Sequence, residues 1–178
     1  MADHLISGFA VVYNSVTDIG GSFREKISPG AFDKSLRERP DVLALWNHNY
    51  DRPLGRTSSG TLDLRSDRVG LYFGLNPDDT TPDGMTAIGT VRRKDVAGCS
   101  FGFTVTRETW DDGDDTQLPL RIVEEAVLWE VSLCPDPAYN DTSASLSRSD
   151  TNPMDNAANA RRRLIEKMER EHKLRGIV

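Results

Sequence analysis

The stretch from Ser100 to Cys134 restricts the fold more than any other part of the chain. In Ser100–Trp110, Phe101, Phe103 and Val105 fall on one face, and Ser100, Gly102, Thr104 and Thr106 on the other, the alternation of a β-strand. Asp111–Asp115, four aspartates around Gly113, reads as a solvated hairpin tip. Ile122–Cys134 is then the return strand. Strict alternation places Glu125, Val127, Trp129, Val131 and Leu133 on one of its faces, and Glu124, Ala126, Leu128, Glu130 and Ser132 on the other. A hairpin of this length commits the region to a β-rich domain.

The flanking sequence agrees. Leu5–Tyr13 is an apolar run between turn formers, and Asp18–Ser22, with Gly20-Gly21, is a turn. A short helix is expected over Gly30–Glu38, stopped by Pro40. Val42–Trp46, Leu54–Arg56, Gly60–Arg65 and Gly70–Leu75 read as short strands punctuated by Gly, Ser and Asp. Asp83–Val96 carries Met85, Ile88 and Val91 at helical spacing, with Thr81 or Asp83 as its cap. From Pro135 the composition changes. Asn140–Met154 is rich in Ser, Thr, Asn and Asp and reads as a flexible linker. Ala157–Leu174 is helical in propensity, but its stripe of Leu164, Ile165 and Met168 is too thin for independent stability. The expected organisation is a domain over 1–139, a linker over 140–156 and a basic helix over 157–178.

Charge follows the same division. Residues 1–150 hold 15 Lys+Arg against 24 Asp+Glu, whereas residues 151–178 hold 7 against 4. An acidic body argues against nucleic acid as the main partner. No apolar run approaches the roughly 20 residues of a spanning helix, and the Met-Ala-Asp-His start lacks the basic and apolar regions of a secretion signal. Cys99 and Cys134 lack metal-ligand spacing and are expected as reduced thiols. No Gly-rich phosphate loop is present; neither a cofactor nor a metal is expected.

A serine hydroxyl becomes a nucleophile only when a base takes its proton and a third group orients that base. Ser100 opens the clearest strand, and of the three histidines (His4, His48, His172) only His48 lies in a strongly patterned segment, Leu43–Asn49. Each also has an ordinary reading, as a polar strand start and a satisfied histidine. Glu130, between Trp129 and Val131, is either the solvent face of an edge strand or a buried orienter; Asp51, Asp63 and Glu125 are rival carboxylates. Alternation turns Cys99 to the face of Phe101 and Phe103, which makes it a core thiol and the lesser candidate nucleophile. Arg92 and Arg93 are candidates for holding an oxyanion.

Gly8-Phe9-Ala10-Val11-Val12-Tyr13-Asn14, Ile27-Ser28-Pro29-Gly30-Ala31-Phe32, Leu45-Trp46-Asn47-His48-Asn49, Arg52-Pro53-Leu54-Gly55, Cys99-Ser100-Phe101-Gly102-Phe103 and Leu128-Trp129-Glu130-Val131-Ser132-Leu133 follow one another, closing at Pro137-Ala138. In this order the blocks resemble the HK97-type phage prohead maturation proteases, which are similar at a distance to the herpesvirus assembly proteases. The resemblance implies a mainly β fold with a few helices (α+β): a closed or partly closed antiparallel β-barrel surrounded by short helices, with a flexible C-terminal tail or helix. It implies Ser100 as nucleophile, His48 as general base and Glu130 as orienting acid. It also implies a serine endopeptidase acting inside the procapsid in the bacterial host cytoplasm. Its partners would be the major capsid protein and/or scaffold as substrates, a self-cleaved or scaffold-contacting tail, and a second copy in a homodimer by the herpesvirus analogy. The herpesvirus pattern of a serine and two histidines is not met, because His4 and His172 lie in terminal segments. The alternative is a catalytically inactive scaffolding or assembly protein that retains the fold.

Overall fold

The computed structural model describes residues 4–148 and 153–174. The chain is mainly β with three helices among these residues. Its strands are β1 (His4–Val12), β2 (Thr17–Ile19), β3 (Phe23–Ile27), β4 (Leu43–Trp46), β5 (Asn49–Arg56), β6 (Leu62–Ser66), β7 (Gly70–Leu75), β8 (Gly98–Asp111), β9 (Leu120–Cys134) and β10 (Ser145–Arg148). The helices are α1 (Asp33–Glu38), α2 (Pro82–Arg93) and α3 (Pro153–Leu174). Thr81 caps α2 by accepting from Gly84 N–H, and Lys94 closes it in the left-handed conformation.

The strands form two open sheets, of order β10-β1-β7-β6 and β2-β3-β9-β4-β5, with β8 on the opposite edge of β9. Of the expected closed or partly closed antiparallel barrel with short helices, the mainly β character with a few helices is found. No closed barrel is found among the described strands, and β3 and β4 both run parallel to β9. The reason lies in how β9 is lined. β3 pairs with residues 120–123 and β4 with residues 130–133 of the same edge, end to end. The gap between them is closed by the β3–α1 connection. Ser28 N–H donates to Val123 O at 2.9 Å, Ala126 N–H to Ala31 O at 2.9 Å, and Leu128 N–H to Ser35 Oγ at 2.9 Å. β9 is thus paired along nearly its whole length, which satisfies its backbone polar groups.

Part of the expected linker is built into the domain. Thr142 Oγ1 accepts from Cys99 N–H at 3.2 Å, Ala144 N–H donates to Ala97 O at 2.8 Å, and Ser143 N–H donates to Phe9 O at 3.0 Å. The segment then runs on as β10 against β1. Its Ser/Thr composition reads as loop because it makes few apolar contacts, yet its backbone and hydroxyls satisfy the edges of two strands. Gly8 admits this approach: a Cβ there would lie 1.8 Å from Ser143 O. Residues 149–152 of the expected linker lie outside the described residues.

β1 is apolar nearly throughout because both of its faces are covered. Ile6, Ala10 and Val11 join the main core, while Phe9 and Val12 pack with Tyr72 under Ala160 and Leu164 of α3. The thin stripe suffices for the helix because the sheet supplies the aromatic half of that cluster. Of the stripe, Leu164 is buried and Ile165 is exposed; the Met168 side chain lies outside the described residues. An Arg161–Asp67 ion pair and an Arg163–Ser7 hydrogen bond at 3.1 Å flank the contact. Truncation of Leu164, which is 1 % exposed, should therefore act as a core deletion. Leu164→Ala is expected to lower unfolding stability by about 2–5 kcal/mol in a urea titration, whereas a loosely attached tail would leave the midpoint where it is.

Candidate active site

β8 and β9 pair antiparallel, with Ser100 opposite Ser132 and Gly102 opposite Glu130. The next pair is Phe103 with Leu128, so Trp129 is an extra residue, a β-bulge. The bulge corrects the faces expected from strict alternation. Leu128 and Val131 both enter the core, Trp129 is exposed, and Glu130 and Ser132 share the face opposite the core with Ser100 and Gly102. Without that extra residue, Glu130 and Leu128 would share a face, as the sequence pattern has it.

His48 arrives on the β4–β5 hairpin. Trp46 pairs with Asn49, leaving the two-residue loop Asn47-His48, with φ of 51° and 57°. Two consecutive positive φ values define a type I′ turn, for which Asn and His are among the more tolerant non-glycine residues. Such backbone geometry needs support, and β9 provides it. Asn47 N–H donates to Leu133 O at 3.0 Å and His48 N–H to Ser132 Oγ at 3.1 Å. Behind the turn, Arg52 lies over the Trp46 ring at 5.6 Å and bonds Asp83 in the first turn of α2 at 3.0 and 2.5 Å.

The imidazole Nδ1 of His48 is 2.7 Å from Glu130 Oε1, while Glu130 Oε2 accepts from Ser132 Oγ at 2.5 Å. Glu130 is 2 % exposed; of its two readings the buried one holds. A buried carboxylate requires donors on its oxygens, and here each oxygen has one. The pairing directs Nε2 away from Glu130, because the two ring nitrogens lie on opposite sides of the imidazole. Ser100 is buried in its strand, and among the described residues its hydroxyl has no hydrogen-bond partner, His48 included. The Ser–His contact is thus open in this resting arrangement, as it commonly is before substrate binds.

The rival groups go elsewhere. Glu125 bonds Lys34 at 3.0 Å and Asp63 bonds Arg65 at 2.9 Å, while Asp51 is exposed on β5. Burial raises the Cys99 thiol well above its ordinary range and pushes Cys134 up to about 11, so both remain protonated near neutral pH and neither offers a thiolate. Arg92 and Arg93 are exposed in the last turn of α2, with Arg93 paired to Asp95 at 3.3 Å. His4 starts β1 opposite Arg148; the side chain of His172 lies outside the described residues. Sequence reasoning missed Ser132 as a partner of both His48 and Glu130. Its signal was present in Glu130-Val131-Ser132, where spacing by two keeps both side chains on one face.

The model of the caudovirus prohead serine protease family matches residues 1–157, and the chain belongs to that family. It is a serine protease. The fold is similar to that of KSHV protease, solved with a hexapeptide phosphonate inhibitor, at TM-score 0.50 and 15% identity over 93% of this chain and 77% of that one. Varicella-zoster virus protease matches at TM-score 0.48 and 14% identity, over 92% and 76% of the two chains. A search of curated protein sequences finds no match.

Gly102 is the test of how closely the site is packed, because a Cβ there would lie 2.5 Å from Glu130 Oε1. Gly102→Ala should displace the carboxylate from His48 and lower turnover by ~100-fold, the usual cost of misplacing a catalytic group by about 1 Å. The melting temperature should fall as well, because the buried carboxylate then loses one of its two donors. Full activity in this variant would show that the carboxylate position does not matter.

Proposed function

We propose that this chain is the maturation endopeptidase of a tailed-phage procapsid, with Ser100 as nucleophile, His48 as general base and Glu130 as the acid that orients it. The observation that carries this reading is the His48–Glu130 hydrogen bond of 2.7 Å on the strand face that also bears Ser100, in a chain of the prohead serine protease family.

The chemistry follows from the geometry. Glu130 accepts the Nδ1 proton, which leaves the Nε2 lone pair as base. His48 takes the Ser100 proton as Oγ attacks the peptide carbonyl carbon, and returns it to the departing amine when the C–N bond breaks. Water, deprotonated in turn by His48, then hydrolyses the acyl-enzyme ester. The substrates are the scaffold, or a scaffold-like N-terminal segment of the capsid protein, inside the assembled shell in the host cell. The chain also cuts itself in its C-terminal region. A cut beyond Arg148 leaves Tyr139–Arg148 in place on β8 and β1, whereas a cut before Tyr139 removes the Thr142 hydroxyl that accepts from Cys99 N–H and inactivates the enzyme.

Ser100→Ala should abolish self-processing while the far-ultraviolet spectrum and melting temperature are retained. A variant still trimmed in its C-terminal region would remove Ser100 from its role. An unmutated chain that persists at full length inside assembled shells, with its capsid protein uncut, would favour an inactive assembly protein. Glu130→Gln keeps the shape but disturbs the tautomer that Glu130 fixes, and should lower kcat by ~10⁴, as in other triads whose acid becomes an amide.

A further inference from the structure

We propose that Ser132 is a fourth, positioning member of this site, holding the His48 turn and the Glu130 carboxylate in register with Ser100; the inference rests on the triad reading above. Ser132 is 0 % exposed near the C-terminal end of β9, between Val131 and Leu133. A fully buried strand position ordinarily favours an apolar, often β-branched side chain. A hydroxyl there must be matched by partners, and both of its partners belong to the site. It donates to Glu130 Oε2 at 2.5 Å and accepts from His48 N–H at 3.1 Å.

The directions of both bonds are fixed by chemistry. A backbone N–H only donates and a carboxylate only accepts, so the single hydroxyl proton points to Glu130. Two consequences follow. Rotation about the last side-chain bond of a glutamate is soft; with Oε2 held by Ser132, Oε1 faces His48 Nδ1. The positive-φ backbone of His48 is also tied to the residue that stands directly opposite Ser100 in the β8–β9 register. One side chain therefore sets the orientation of the acid and the seat of the base relative to the nucleophile. The thiols of Cys99 and Cys134 also lie within electrostatic reach of Glu130. Both are held protonated and supply no competing charge.

The test uses the full chain and p-nitrophenyl acetate, an activated ester whose acylation rate reports nucleophile activation without specificity subsites. Ser132→Ala should slow acylation about 10- to 100-fold, the range expected for losing a hydrogen bond to a charged group. Ser132→Thr, which keeps the hydroxyl, should recover most of the rate. The low-field proton resonance of His48 Nδ1–H in the bond to Glu130 should shift or broaden in Ser132→Ala and persist in Ser132→Thr. A residue needed only for folding would leave that resonance in place in every folded variant. If Ser132→Ala does not fold, Ser132→Val, which has the shape of the threonine variant without its hydroxyl, is read in the same way. An unchanged acylation rate and an unchanged resonance in the Ala or Val variant overturn the inference, while Ser100→Ala remaining inactive keeps the triad reading. Activity in Ser100→Ala overturns that reading itself.

Discussion

The site depends on a carboxylate kept almost entirely out of water. Glu130 sits on the longest strand of the molecule, and burying its charge costs several kcal/mol unless partners replace the lost solvation. His48 Nδ1 and Ser132 Oγ are those partners, one on each oxygen. Other features follow from that requirement. The Trp129 bulge turns Glu130 out of the core, Gly102 leaves room for its oxygen, and the type I′ turn delivers the imidazole to it.

The wider fold holds β8 and β9 still. β3, the β3–α1 connection and β4 occupy one edge of β9 in succession, and β8 lies along the other. The residues before Ser100 are fastened from behind by Thr142 and Ala144. Tyr139 packs on Phe101 with ring centroids 5.0 Å apart, and its hydroxyl donates to buried Glu25, which also receives Arg121 at 3.1 Å. Desolvation and the Glu25 charge keep the Tyr139 hydroxyl protonated. The chain just beyond β9 thereby braces the strand on which Ser100 sits, and α3 covers the far face of the smaller sheet.

Much of this was legible in the sequence because local pattern determines it. Alternation located β8, β9 and the turn between them; helical spacing and the Thr81 cap located α2. Ser100, His48 and Glu130 were singled out as candidates from residue type and position, and their roles were implied by the family resemblance. What escaped was what depends on partners far along the chain. A bulge adds one residue without altering composition, so the faces around Trp129 were misassigned. Parallel pairing of β3 and β4 with β9 leaves no mark in either strand. The Ser/Thr-rich stretch after Asn140 looks like linker because its attachment runs through hydroxyls and backbone rather than apolar side chains. Ser132 looked like an ordinary strand residue until its two bonds were placed.

Activation of Ser100 by His48 and Glu130 can be followed by mapping a fluorophosphonate adduct by peptide mass spectrometry and timing its formation. A single phosphonylated site is expected at Ser100 in the unmutated chain, with the rate collapsing in His48→Ala and Glu130→Gln while both variants remain folded. Labelling at Ser100 that proceeds at the parent rate in folded His48→Ala, or labelling confined to another residue, would contradict it.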